Sequence, residues 1–263
     1  MDFLKRSLAP ITDESWEEID DTAKEVLTSQ LSGRKFVDVS APQGWDLAAI
    51  PEGRLDIKED DSKKVRYGIR KASPVIETRT SFKLNIWELD NYNRGALDLD
   101  LEPLEDAAKK AAKFEEDVIF RGLEEANVKG LNQVSETTMD LPEDPAGVVE
   151  AVSMGITEFQ DNSIEGPYSL IVSRRLWQDV ARFSKGYPLK RQIEDLLGDS
   201  VVYSPEVDGA LLVSTRGGDF ELILGQDFSI GYEDHSSTEV KLFIAESFSF
   251  RVLEPAAVIT LNG

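Results

Sequence analysis

The stretch Ile11–Val39, ITDESWEEIDDTAKEVLTSQLSGRKFVDV, decides how the rest of the chain is read. Thr12 and Asp13 are N-cap types, because their side-chain oxygens accept the backbone N–H groups that a first helical turn leaves unpaired. Glu14, Glu17 and Glu18 put negative charge where the helix dipole favours it. Trp16, Ile19, Ala23, Val26, Leu27 and Leu31 recur at steps of three and four, which makes one apolar stripe. Gly33 reads as the C′ stop and Arg34 to Val39 as an extended segment. On pattern alone, such a helix packs against its own domain.

On the N-terminal side, Phe3, Leu4 and Leu8 form a basic-apolar arm that must cover something. On the other side, Pro42, Gly44, Pro51 and Gly53 mark a turn-rich bridge. Beyond it lie two β-prone runs, Arg54–Ile57 and Val65–Ile69, separated by KEDDSKK. A third run, Val75–Trp87, alternates in part: Phe82, Leu84 and Ile86 fall on one face, Lys83, Asn85 and Trp87 on the other. A charged ribbon with so little core is not stable alone and needs another chain or domain.

The longest helix signal opens at Pro103. Leu104, Ala107, Ala108, Ala111, Phe114, Val118 and Ile119 give its stripe, and Gly122 and Gly130 bracket its end. Residues 144–200 alternate helix and strand. From 201 onward the chain reads as β, with runs at Val201–Tyr203, Ala210–Val213, Phe220–Leu224, Phe228–Tyr232, Val240–Ile244, Phe248–Val252 and Ala257–Leu261. Arg216-Gly217-Gly218-Asp219 reads as a hairpin turn. The class is α+β.

Composition narrows the function. The 263 residues carry 29 Lys and Arg against 50 Asp and Glu, a net charge of −21. Such a polyanion repels phosphate backbones, so nucleic acid is not an expected partner. There is no cysteine, which removes disulfides, thiolate catalysis and zinc–thiolate sites. No apolar run reaches the roughly 20 residues of a membrane span, and MDFLKRSLAP has no signal core, so a cytoplasmic location is expected. The one histidine, His235, sits among turn residues and reads as a solvated loop tip. No G-x-S-x-G, G-x-G-x-x-G or Walker sequence is present. Glu59-Asp60-Asp61 and Glu115-Glu116-Asp117 read as solvated faces, the second on the exposed side of the long helix. Neither an enzyme nor a metal site is expected. Phe228, Ile230 and Tyr232 share one strand face and either close a core or line a groove.

The chain resembles the type 1 encapsulin shell proteins of bacterial nanocompartments. The likeness is carried, in order, by FLKRSLAPIT (Phe3–Thr12), GRKFVDV (Gly33–Val39), KASPVIETRTSFKLNIWELDNYNRG (Lys71–Gly95), FEEDVIFRG (Phe114–Gly122), IEGPYSLIVS (Ile164–Ser173), STRGGDFELILGQDFSIGYED (Ser214–Asp234) and LFIAESFSFRV (Leu242–Val252). It implies the HK97-type capsid fold. Residues 1–49 would be the arm, the N-terminal helix and part of the P domain, and 50–90 the extended β-hairpin, or E-loop. Residues 91–134 would be the P domain with its spine helix, 135–222 the A domain, and 223–263 the last P-domain strands. It implies self-assembly into the smallest icosahedral class, T=1, of about 60 copies. The enclosed cargo would be a ferritin-like iron-storage protein or a dye-decolourising peroxidase, tying the shell to iron storage or oxidative stress. The cargo's C-terminal targeting peptide would sit at Leu31, Arg34, Phe36, Asp38, Phe228, Ile230 and Tyr232. An extended peptide with apolar anchors and a basic end suits sockets of that kind. Ser184, Lys185, Gly186 and Tyr187 would border a five-fold pore. No cofactor is required, though some shells of the family carry flavin on a tryptophan of the extended loop. Trp87 resembles that position, with Arg79 on the same ribbon within reach of a phosphate or ribityl tail. Alternatives from other classes are a phage-type capsid subunit and a flavin-binding or proteolytic enzyme.

Overall fold

A computed structural model describes residues 2–58, 66–142, 144–183 and 186–262. The helix read from the opening stretch is α1, Asp13–Gln30, capped by Thr12, whose Oγ1 accepts the Ser15 N–H. Its buried positions include Trp16, Ile19, Ala23 and Leu27. A tight 3-10 turn, Gly33–Lys35, comes next, and only Asp38–Val39 (β1) is strand. Gly33 is therefore not a left-handed stop. A Cβ there would lie 2.7 Å from Ile119 Cδ1 and 3.1 Å from Glu116 Oε1. A larger residue there would have to displace the ends of these two side chains, because the turn is pressed against the long helix.

Among the described residues, strands β2 (Ala49–Lys58) and β3 (Tyr67–Pro74) pair only with each other, as a two-stranded ribbon. Its side chains Leu55, Ile57, Tyr67 and Ile69 are exposed. The acidic run Glu59-Asp60-Asp61 lies outside the described residues. Strand β4 (Ile76–Asn85) leaves the ribbon and pairs with a late strand of the chain. The 50–90 span thus divides into a free ribbon and a strand of the body. Phe82 and Leu84 are buried on one face of β4, as the alternation predicts. Ile86 and Trp87 are not on that strand, because they open helix α2, Ile86–Asn93.

The spine helix is α3, Glu102–Arg121, ended by Gly122 at φ 78°. Next come α4 (Leu131–Val134), β5 (Thr137–Asp140), α5 (Pro145–Asp161), β6 (Tyr168–Val172), α6 (Arg174–Arg182), α7 (Leu189–Leu197), β7 (Val201–Tyr203) and β8 (Ala210–Ser214). The chain ends with β9 (Phe220–His235), β10 (Glu239–Val252) and β11 (Val258–Asn262). The four β-runs read between 220 and 252 are two long strands. Polar Gly225-Gln226-Asp227 and Glu246-Ser247 do not break them, because register shifts between Ala245, Ser247 and Phe248 absorb the irregularity.

One sheet has the order β1-β9-β10-β4, and a second the order β5-β11-β8-β6-β7. Strands β8 and β9 lie in different sheets, so Arg216–Asp219 is a crossover turn, not a hairpin. Gly217 and Gly218 take positive φ there, and Arg216 grips Asp219 with two bonds of 3.0 and 2.9 Å.

Two apolar cores result, and α3 belongs to both. Its N-terminal half gives Leu104, Ala107, Ala108, Ala111 and Ala112 to a core closed by α1 and by Phe82, Leu84, Ile230, Leu242 and Ile244 of the first sheet. Its C-terminal half gives Val118, Ile119 and Phe120 to the core of the second sheet. Each large side chain buried here contributes roughly 1.5–3 kcal/mol before ordering costs. The small alanines let α1 approach the spine closely, which brings the end of α1 beside β9.

Candidate functional site

The arm, α1 and the middle of β9 enclose a cavity of about 430 Å³. Leu27 of α1 and Leu31 at its C-cap, Phe228 and Ile230 of β9, and Leu4 of the arm supply its apolar lining. The arm is held in place from three sides. Tyr232 N–H donates to the Leu4 carbonyl at 2.7 Å. Arg6 donates to both carboxylate oxygens of Asp20, at 3.1 and 2.7 Å, and stacks over Trp16 at 4.0 Å. Phe3 packs on Trp45 with ring centroids 5.3 Å apart.

Four of the residues expected at a guest pocket meet here: Leu31, Arg34, Phe228 and Ile230. Three do not. Phe36 is buried in the other core, 6.1 Å from Phe120. Asp38 accepts the Gly218 N–H at 2.5 Å and stabilises the crossover turn. Tyr232 is buried, and its hydroxyl meets His235 Nδ1 at 2.5 Å. His235 is therefore the last residue of β9 with a phenol partner, not a bare loop tip. Lys24 and Thr28 also line the cleft, though sequence reasoning missed them. Their signal was their position, since each stands next to a stripe residue of α1, Ala23 and Leu27.

Arg34 is the electrostatic centre of the cleft floor. Its guanidinium bonds Glu115 through Nε at 2.9 Å and through Nη2 at 2.5 Å. It also bonds Glu246 at 2.7 Å and Asp227 at 2.9 Å, and lies 5.1 Å from the Phe228 ring centre. Burial alone would lower its pKa, but Glu115 first, then Glu246 and Asp227, hold it fully charged. Glu115 and Glu116 are completely buried, which corrects their reading as a solvated face. Only Asp117 of that run turns outward, to Arg121 and Lys113.

Burial also raises the pKa of Glu246 well above its ordinary range, reinforced by the charge of Glu115. Its Oε2 has no hydrogen-bond partner among the described residues. Glu116 is pushed up to about 7 by burial, against the opposing bonds it accepts from Ser32 Oγ and from Gly33 N–H at 2.8 Å. Two buried acids of the spine helix thus hold the turn that ends α1.

Trp87 and Arg79 lie on different elements. Trp87 is 63 % exposed in the first turn of α2, whereas Arg79 lies on β4 with its guanidinium 4.2 Å over Phe243. Ser184 and Lys185 lie outside the described residues. Gly186 has φ 84°, and Tyr187 donates to Asp195 at 2.8 Å across the α6–α7 connection. Among the described residues no group of three or more His, Asp or Glu is arranged to hold a metal ion, and no helix is long and apolar enough to cross a membrane.

The fold is that of capsid shells. A virus-like particle from Pyrococcus furiosus superposes with a TM-score of 0.67, covering 94% of this chain and 98% of that one at 16% identity. The capsid of Myoviridae phage XM1 superposes with a TM-score of 0.60, covering 89% and 92% at 12% identity. In sequence, residues 1–249 match the family described as "Encapsulating protein for peroxidase". Type 1 encapsulin shell proteins of Rhodospirillum rubrum and Rhodococcus erythropolis are 37% and 38% identical. Those alignments cover 100% and 99% of this chain, and 97% and 100% of the relatives. The chain belongs to the encapsulin family of shell proteins.

Proposed function

We propose that this chain is the structural subunit of a closed icosahedral shell in the cytoplasm, of about 60 copies in the smallest class, that encloses an enzyme. The observation that carries the assembly is the β2–β3 ribbon. A two-stranded ribbon is marginal in water, and this one exposes Leu55, Ile57, Tyr67 and Ile69. A neighbouring copy that covers it removes that apolar surface from water and links subunit to subunit. Microscopy of the protein expressed alone tests this: uniform hollow particles are expected, and Leu55→Glu/Ile57→Glu should leave small oligomers. A wild-type chain that stays monomeric at all concentrations sinks the reading.

The enclosed enzyme is a peroxidase in the family description that the chain matches, and we carry that cargo to this shell ahead of a ferritin-like protein. Its C-terminal targeting peptide is assigned to the cleft between α1 and β9. Ile230 is too deeply buried to be a clean probe, since a charge there would strike the core. Thr28 is exposed on the cleft wall. Thr28→Trp should fill the cleft, leave particles intact and lower cargo loading on co-expression by about tenfold or more. Unchanged loading would move the guest site elsewhere. The subunit acts by packing and avidity, with no bond made or broken in it. Flavin on Trp87 remains a proposal for the assembled shell alone, where a second subunit would complete the site. Visible flavin absorbance of purified particles reads it out.

A further inference from the structure

Three walls border the cleft, and they are not held alike. Leu27 of α1, Leu31 at its C-cap and Ile230 of β9 belong to the core that α1 shares with the first sheet. The arm is different. From Asp2 to Leu8 none of its residues is buried, and only Ala9 and Ile11 at its root pack against that core. Leu4 and Arg6 nevertheless line the cleft beside Leu27, Leu31 and Ile230. A wall without buried side chains gains little apolar burial from its own docking, so it is the wall that opens most readily.

Few contacts hold the arm down, and each is exposed or single. The side chains of Arg6 and Asp20 are 32% and 44% exposed, so their ion pair is a surface pair that salt weakens. The stack of Arg6 on Trp16 adds a cation–π contact. Phe3 packs on Trp45 yet stays exposed. Among the described residues, one backbone bond ties residues 2–10 to the body, from the Tyr232 N–H to the Leu4 carbonyl. Inside the arm, Asp2 Oδ1 accepts the N–H groups of Leu4 and Lys5 at 3.1 and 3.0 Å, which keeps its tip bent as one unit. Lys5 sits at φ 50°, a left-handed conformation that costs an L-residue energy. Pro10 holds Ala9 extended, at φ −75° and ψ 142°, so the root is stiff and movement is confined to the residues before it.

We infer that the arm is a hinged strap over the cleft: residues 2–8 swing on the Ala9–Ile11 root, and Arg6 on Asp20 and Trp16 is the clasp. Lifting the strap uncovers Leu31 and frees the Tyr232 N–H, and closing it covers both again. Neither α1 nor β9 can move aside in this way without opening a core. As a control on guest entry, the strap rests on the reading of the cleft as the guest site. The opening itself does not, because it follows from how the arm is held.

The chain has no cysteine, so a single introduced thiol reports its own surroundings. Leu31→Cys places one under the strap, where Leu31 is 6% exposed, and Thr28→Cys places one on the exposed cleft wall. Intact purified protein is treated with iodoacetamide and followed by mass spectrometry. Leu31→Cys should alkylate more slowly than Thr28→Cys, at a rate set by how often the strap lifts. Adding Arg6→Ala should speed Leu31→Cys by about tenfold and leave Thr28→Cys unchanged, with the urea midpoint unmoved. Asp20→Asn loosens the clasp from its other side and should act in the same direction. Amide exchange at Tyr232 should quicken with either variant. A Leu31→Cys rate that neither variant alters overturns the strap. Equal acceleration at both thiols, or a matching fall in the urea midpoint, overturns it too, because the whole subunit would then have loosened. Cargo loading in Thr28→Trp reads the guest site separately, so either reading can fail while the other stands.

Discussion

Arg34→Met is expected to destabilise the subunit by about 3–5 kcal/mol, the largest effect expected of any single substitution in the cleft. The side chain is 18% exposed, and its partners Glu115 and Glu246 are 0% and 1% exposed. Removing the cation leaves these acids facing each other without compensation. Methionine preserves the stem's packing, so the loss reports the charge. The energy does not measure the worth of the ion pairs, because most of it is the cost of stranding buried acids. Arg34→Met/Glu115→Gln/Glu246→Gln should therefore recover most of the loss in urea unfolding. A single substitution that costs under about 1 kcal/mol would mean that water reaches the cluster and screens it. The same arginine touches Asp227 and Phe228 at the cleft, so the single variant is also expected to weaken guest loading.

The sequence made α1, α3 and the two-faced strand β4 legible because each obeys a periodicity. It was silent about the buried acids for a physical reason. Charged residues on a helix default to water, and the partners that reverse this lie far along the chain. Arg34 and Glu115 are 81 residues apart, Arg34 and Glu246 212. The stripe of α3 already placed Val118 and Ile119 inside, and Glu115 lies one turn before them on that face. That signal was present but outweighed by residue type. The α2 boundary was legible too. Asn85 caps the helix by accepting the Trp87 N–H at 2.8 Å, with Glu88 in the first turn. An Asn-x-x-Glu sequence of this kind is a helix start, and reading the alternation through it put Trp87 on the wrong element. Of the cleft, the sequence offered the apolar stripe and the Phe228–Ile230 face. Leu4 and Arg6 reach it only because the arm folds back, a tertiary event without a local pattern.

Glu116 carries the second large prediction, a stability that falls as pH rises. Its pKa is raised by burial from 4.5 to about 7 in the folded chain. Between these values the folded state binds a proton that the unfolded state has released. The stabilisation is therefore complete below about pH 4.5 and is lost as pH rises through about 7, a change of about 3 kcal/mol at 1.36 kcal/mol per unit. Glu246, raised by burial in the same direction, adds to the trend, whereas Glu206, whose burial is outweighed by Lys113 and Arg121, is lowered and opposes it. The difference between wild type and Glu116→Gln cancels these other groups. Glutamine stays neutral and can still accept the Gly33 N–H. Its stability relative to wild type should rise by about 3 kcal/mol from pH 4.5 to pH 8, as the wild-type acid is forced to ionise. Urea midpoints measured in one assembly state across that range decide it. Parallel curves would show that Glu116 titrates as in water and that the turn ending α1 rests on Gly33 packing alone.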